Sequence, residues 1–417
     1  MKTIILSIST YNIYLLLTGL VILLASVIPN ILKKSLLSAP IIYLAIGFGL
    51  YFLGNEYYTS IGPLDNVSTI LRISEFVVLV ALTNAGLKIK KPFRWVTWKY
   101  SFFLLLITMP LTIVASSYIS WTILGLAPAA ALLFGALISP TDPVLASDLQ
   151  TSQPSDEDTS KTRLALTSEA GFNDGLAFPF TFFAIHFASK GADISSWILD
   201  WVIVDVIYKI LSGILLGFLC GWLLYKIVFK MPSRDLHSDI SRGILSLALT
   251  LLPYSITEVC GGYGFIAVFV AACVFSNREK SIEHMDNLHS FTEEIERIFV
   301  ALLFVLIGVY LASNLEALTK WPLILTALII ILVIRPLAGF IALFRSDLTG
   351  FEKFAISFYG IRGVGSIFYL MFAFSEADFE DASTLMQLTA VTIILSVFIH
   401  GISAAILQKK LDKIDNV

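Results

Sequence analysis

Apolar residues fill this chain in long runs, such as Tyr14–Ile28, Phe299–Ala312 and Leu323–Ile334, separated by short polar clusters rich in Lys, Arg, Gly and Pro. About 20 apolar residues in a helix span the hydrocarbon of a bilayer, where every backbone group must be bonded within its own segment. The pattern predicts an all-α polytopic membrane protein. Thirteen spans are expected at roughly 11–30, 38–54, 70–87, 100–119, 126–149, 163–188, 197–228, 243–259, 263–276, 295–313, 321–343, 354–374 and 385–407.

The polar clusters orient these spans, because cytoplasmic loops collect Lys and Arg. With the N-terminus outside, Lys33 and Lys34, the group from Lys88 to Lys99, and Lys161 and Arg163 all face the cytoplasm. So do Lys226, Lys230, Arg234 and Arg242, then Arg278 and Lys280, Arg345 and Lys353, and the tail lysines 409, 410 and 413. That places 20 of the 28 Lys and Arg inside, against Lys2, Arg72, Lys190 and Lys320 outside. Splitting the 197–228 segment would invert every later loop and destroy the bias. The C-terminus is therefore expected in the cytoplasm, and the first run is expected to remain as a span rather than act as a cleaved leader.

Two spans are interrupted. Ser139-Pro140-Thr141-Asp142-Pro143 breaks the fifth, since each proline removes a donor and clashes with the preceding turn. Gly360-Ile361-Arg362-Gly363-Val364-Gly365-Ser366 breaks the twelfth. The breaks lie seven spans apart, so they fall in helices of opposite direction. Paired breaks in inverted halves point to a secondary transporter with a midplane site. Spans 1–6 and 8–13 are the two expected six-helix repeats, with span 7 as the link.

Composition narrows the function. Hydrophobic residues make up 57% and charged residues 14% of 417, against about a quarter charged in soluble domains; mean hydropathy is +0.84. A cytosolic enzyme is excluded. The three cysteines all lie in apolar segments and suggest neither a disulfide framework nor a metal site. No phosphate-binding G-x-x-x-x-G-K-[S/T] loop occurs, which disfavours an ATP-driven pump. Neither an enzymatic activity nor a cofactor, nucleotide or nucleic-acid partner is expected.

Ionisable groups within spans are costly and mark function or pairing. They are Glu75 in span 3, Asp142 at the fifth-span break, Glu169 and Asp174 in span 6, Arg335 in span 11 and Arg362 at the twelfth-span break. Asp174 lies about 140° around the helix from Glu169, at five steps of about 100°, so the two carboxylates need not share surroundings. An unpaired buried Arg is expensive, which joins Glu169 to Arg335. Asp174 is left beside the broken fifth helix, where freed carbonyls such as that of Thr141 offer hard oxygen ligands. Proton and cation would then compete for one carboxylate. Asp142 is expected to cap a half-helix. Asp200, Asp205 and Lys209 are read as an interfacial or interdomain polar stripe. His186 and His400 are read as interfacial, His237 lies beside a cytoplasmic loop, and Gly261-Gly262-Tyr263-Gly264 is read as a turn.

Ser139-Pro-Thr-Asp-Pro143, Ser168-Glu-Ala-Gly-Phe-Asn-Asp-Gly175 and Gly360-Ile-Arg-Gly363 together resemble the monovalent cation/proton antiporters, in particular the prokaryotic sodium/proton antiporters with an Asn-Asp pair. The resemblance implies that Asp174 carries cation and proton, that Asn173 is its neighbour, and that Thr141 and Asp142 belong to a crossing of broken helices. Asp174 and Thr141 would ligate the transported ion, with Ser168 in the same group. Glu75 is implied to help hold ion or water, or else is a span-end polar group. Glu169 with Arg335 is implied to be a structural pair, and Arg362 a charge at the helix break. The resemblance also implies a homodimer in a cell membrane, with a core bundle (about 100–188 and 321–407) moving against an interface bundle (about 11–87 and 197–313). Exchange of Na+ or Li+ for H+ is the expected activity. A potassium/proton exchanger of the same fold, or a channel or non-transporting sensor, is the alternative.

Overall fold

The computed structural model describes residues 10–32, 37–53, 64, 66–143, 145, 160–230, 239–278 and 282–415. Lys2, Lys33, Lys34, Arg234, His237, Lys280, and residues 144 and 146–149 of the expected fifth span lie outside them. Among the described residues the regular structure is entirely helical.

The helices are α1 (Thr10–Leu32), α2 (Ala39–Leu53), α3 (Val67–Lys88), α4 (Trp95–Leu124), α5 (Pro128–Ile138), α6 (Lys161–Lys190) and α7 (Ile198–Val228). They continue with α8 (Asp239–Val259), α9 (Gly264–Arg278), α10 (Ile282–Ser313), α11 (Trp321–Leu343), α12 (Gly350–Phe358), α13 (Val364–Glu376) and α14 (Ala382–Asp415). Seven of them, α1, α3, α4, α7, α10, α11 and α14, are long and apolar enough to cross a membrane by length and composition. The expected twelfth span is two helices, α12 and α13, because Gly360 to Gly363 leave the helical path between them.

Two helices contain widened π-turns that end in front of a proline. Leu104–Thr108 in α4 precedes Met109-Pro110, and Ile330–Ile334 in α11 precedes Arg335-Pro336. A proline ring clashes with the carbonyl four residues earlier, and a π-turn accommodates it without ending the helix. The two helices pack against each other at these turns.

Small residues set the other contacts. Gly213, Gly217 and Gly221 recur every fourth residue on α7 and face Tyr263, just before α9, and Ala267 and Ala271 within it; a Cβ on Gly217 would fall 2.7 Å from the Ala267 Cα. Small residues at four-residue spacing let helix backbones approach where lipid offers no hydrophobic drive. Further neighbours are α2 with α10, α3 with α9 and α13, α4 with α5, α5 with α6, and α11 with α12. Gly261 turns the chain between α8 and α9 at φ +70°, a left-handed conformation that suits glycine. Large apolar side chains such as Leu16, Leu53 and Leu215 face outward, as a lipid-facing surface requires.

Candidate functional site

The site begins where α5 stops. After Ile138 the chain runs without helical structure through Pro140, Thr141 and Asp142, and crosses the equally irregular stretch from Tyr359 to Gly363. The Asp142 N–H donates to the Ile361 carbonyl at 2.8 Å. The Asp142 carboxylate takes the N–H of Val364, the first residue of α13, at 2.7 Å, and the N–H of Leu145 at 3.2 Å. It thus satisfies orphan donors at the start of α13 and in its own chain beyond the break. A side chain at Gly363 would collide with that carboxylate, so the crossing needs glycine there. On the other side, Arg362 Nη1 donates to the Pro140 carbonyl at 3.3 Å, setting a cation at the carbonyl end of α5. The Arg362 N–H is held by Ser396 Oγ of α14 at 2.9 Å.

Helix α6 brings Asn173 and Asp174 to this crossing, exposed by only 1% and 2%. Asn173 Nδ2 donates to Thr141 Oγ1 at 2.8 Å, tying α6 to the break. Asp174 lies against the first turn of α13: its Oδ1 is 2.8 Å from where a Cβ on Gly365 would stand. None of the described residues donates a hydrogen bond to its carboxylate. The Tyr369 hydroxyl donates to the Asp174 backbone carbonyl. One turn along α6, Phe178 stacks on Tyr263 with centroids 5.0 Å apart and meets Phe265, Phe368, Tyr369 and Phe372 edge-on. Phe178, Tyr263, Phe368 and Phe372 of this aromatic layer line a cavity of about 320 Å³, whose lining does not include Asp174.

Glu169 and Arg335 form two parallel bonds, Nη1 to Oε1 at 2.7 Å and Nη2 to Oε2 at 2.8 Å, with both side chains 2% exposed. The fork geometry of Arg suits this bidentate contact. Arg335 follows the π-turn of α11 directly, and its Nε and Arg362 Nη1 flank Gly360.

Two expected cation residues are not brought to Asp174. The Ser168 hydroxyl bonds that of Ser101 on α4 and the Leu164 carbonyl at 2.5 Å, so it joins α6 to α4. Glu75 bonds Tyr254 and pairs with Arg72 at 2.8 Å, lining the same cavity with Lys209, Glu258 and Glu376. Its spacing in the sequence gives a span but not a neighbour, and Tyr254 claims it.

Other polar groups settle differently from the sequence reading. His400 is buried rather than interfacial: its ring bonds the Phe358 carbonyl at 3.1 Å and Ser396 within the same turn. For Asp205 the sequence reading keeps its interdomain form: the side chain is buried and joins His186 of α6 at 3.0 Å to Lys209 of α7 at 2.7 Å. A buried pair that the sequence did not reveal links Asn84 Nδ2 to Glu296 Oε2 at 2.6 Å. The expected tenth span begins at 295, which leaves Glu296 at its edge, whereas α10 begins at Ile282 and carries Glu296 into its interior. Outside the spans, Asp347 between α11 and α12 accepts from Lys99 Nζ at 2.7 Å, Tyr100 OH at 2.5 Å and Lys161 Nζ at 3.2 Å. The hydrogen bonds from Lys99, Tyr100 and Lys161 hold its carboxyl well below the usual carboxylate range.

The chain is similar to known proteins over most of its length. The family described as "Sodium/hydrogen exchanger, transmembrane" matches residues 19–410. The Na+/H+ antiporter NhaG of Bacillus atrophaeus is 24% identical over 407 residues, covering 94% of this chain and 74% of that protein. The Na+/H+ antiporter NhaH of Halobacillus aidingensis is 26% identical over 316 residues, 72% of each. The solved sodium proton antiporter MjNhaP1 from Methanocaldococcus jannaschii shares the fold, with a TM-score of 0.72 and 21% identity over 97% of this chain and 99% of that one.

Proposed function

The chain belongs to the sodium/hydrogen exchanger family, and from that premise we propose that it exchanges Na+ or Li+ for H+ at Asp174. The observation that carries the assignment is the Asp174 carboxylate itself, buried beside a helix crossing without a hydrogen-bond donor among the described residues. A buried anion in that position needs a partner, and either a proton or a desolvated alkali ion supplies one. Thr141 and Asn173 sit beside it, and hard oxygens suit such an ion. Asp142, Arg362, Glu169 and Arg335 hold the crossing together and neutralise its helix ends. If the site changes sides only when occupied, one ion is exchanged for the other without a leak.

The wider architecture belongs to the same reading. Thirteen crossings, with the N-terminus outside and the C-terminus in the cytoplasm of the cell, form two inverted repeats. Support comes from pairs seven spans apart: α4 and α11 each carry a π-turn before proline, and the segments of α5 and of α12 with α13 are each broken. The bundle of residues 100–188 and 321–407 moves against that of 11–87 and 197–313, in a homodimer whose static faces meet. One carboxylate titrates per cycle, so exchange is electroneutral.

Purified protein in liposomes with an imposed pH gradient tests the reading. Na+ or Li+ added outside should collapse the gradient. Collapse by K+ alone would make the protein a potassium exchanger, and ion current without coupled proton movement would make it a channel.

A further inference from the structure

We infer that Ser366 supplies an oxygen ligand to the cation held at Asp174, an assignment that rests on the role proposed above for Asp174. Gly365, where an added Cβ would stand 2.8 Å from the Asp174 Oδ1, is its immediate neighbour. Ser366 is the third residue of α13 and 2% exposed, and its Oγ is buried without a hydrogen-bond partner among the described residues.

Six other helical hydroxyls among the described residues share that state, those of Thr112, Ser116, Thr162, Thr257, Thr326 and Ser357; Ser366 is the one that follows the Gly365 facing Asp174. Ser74, Thr83, Thr167 and Thr181 each donate to the carbonyl four residues earlier, at 2.7, 3.1, 2.9 and 3.0 Å. Such back-bonding is the ordinary local outlet for Ser and Thr in a helix. Ser366 lacks it because the residue four earlier, Arg362, precedes the helix, and Gly363 between them is far from helical at φ −158° and ψ −127°. The break that admits Asp174 to this turn also deprives Ser366 of its own acceptor.

A second orphan lies on the other side of the contact. Asn173 commits Nδ2 to Thr141, and its Oδ1 is buried without a partner. The Asp174 carboxylate, Asn173 Oδ1 and Ser366 Oγ thus belong to residues at or next to the Asp174–Gly365 contact. Buried unsatisfied oxygens call for an explanation. An alkali ion draws on several oxygens at once, whereas a proton needs only the carboxylate. Ser366 therefore acts on the cation and not on the proton, and it lets the site tell them apart.

The test is exchange in liposomes by Ser366→Ala, Ser366→Cys and Ser366→Thr, with Asp174→Asn in parallel. Loss of one hydroxyl facing a charge should raise the apparent KM for Na+ about tenfold, or about 1.4 kcal/mol, with maximal rate and thermal stability near wild type. The apparent proton affinity, read from the pH dependence of exchange extrapolated to zero Na+, should stay unchanged. Threonine should preserve the KM, and cysteine, a near-isostere with a soft sulfur, should raise it as alanine does. If the alanine variant fails to fold, the cysteine variant decides. A KM within twofold of wild type in whichever variant decides overturns the assignment of Ser366. That result with an inactive Asp174→Asn protein leaves the reading of Asp174 standing, whereas cation-driven proton flux in Asp174→Asn removes that reading first.

Discussion

The Asp142 carboxylate accepts the N–H of Val364 at 2.7 Å across 222 positions of sequence, so a side chain from one broken segment starts the helix of the other. Its second oxygen serves Leu145 in its own segment. Replacing a capping residue with alanine costs about 0.5–2 kcal/mol, and here donors in two segments lose their acceptor together. Asp142→Ala should lower the thermal midpoint in detergent clearly, and Asp142→Asn, which keeps one acceptor oxygen, should lower it less. Equal midpoints for the two variants would mean that capping is not what Asp142 contributes.

Asp174→Asn should abolish exchange while leaving the protein folded. The amide is nearly isosteric, and no described residue donates a hydrogen bond to the carboxylate, so nothing structural is lost. Size-exclusion profile and thermal midpoint should match wild type, while Na+-driven proton movement in liposomes should vanish.

Glu169 and Arg335 give a double-mutant cycle. Removing one partner leaves a buried charge, at a cost of about 3–5 kcal/mol. Glu169→Ala and Arg335→Ala should each reduce stability or yield severely, and the double variant should be less damaged than the two losses added together. Additive losses would show that the pair is not energetically coupled.

Much of this arrangement is legible in the sequence, and the limits have a physical origin. Proline and glycine clusters act locally, so the ends of α5 and α12 can be read from Pro140 and Gly360 alone. The cost of an unpaired arginine links Glu169 to Arg335 on paper, and the two are bonded in the structure. Position along a helix fixes an angle but not a neighbour. For that reason Glu75 and Ser168, both on functional helices, turn out to bond Tyr254 and Ser101 instead of reaching Asp174. Glu296 escapes notice because hydropathy starts its span some thirteen residues late, and Asn84, its partner, carries no charge to announce it.

Asp347 allows a pH test away from the ion path. Its carboxyl is held below the usual range by Lys99, Tyr100 and Lys161. A depressed folded-state value adds stability that is fully present above the unfolded value of about 3.9 and is lost as pH falls toward the folded one. Asp347→Asn should therefore lower the thermal midpoint by a similar, small amount at pH 5 and pH 8, with the gap to wild type closing only below about pH 4. A gap that changes between pH 5 and 8 would show that another group is titrating in this cluster.

Stoichiometry follows from which groups can lose a proton. Asn173 is neutral, and the span 11 cation is an arginine, which stays protonated at working pH. Asp174 alone should change protonation, giving one proton for each monovalent cation. In liposomes clamped with potassium and valinomycin, the equilibrium point of sodium-driven proton movement should not shift with the imposed potential. An equilibrium that tracks the potential would show a second moving charge.

The glycines of α7 bear on how the chain is made. Gly213, Gly217 and Gly221 present bare backbone to Tyr263, Ala267 and Ala271, each fifty positions later in the sequence. At about 5–20 residues per second, a ribosome needs roughly 3–10 s to add those fifty. During that interval α7 has entered the bilayer with its notched face unmatched, and α8 arrives before the helix that fits. Until α9 is made, the notched face of α7 lacks the helix that fits it. Alanine or leucine at Gly217 would then be felt as slow or misordered assembly in the cell, a loss of yield that begins during synthesis.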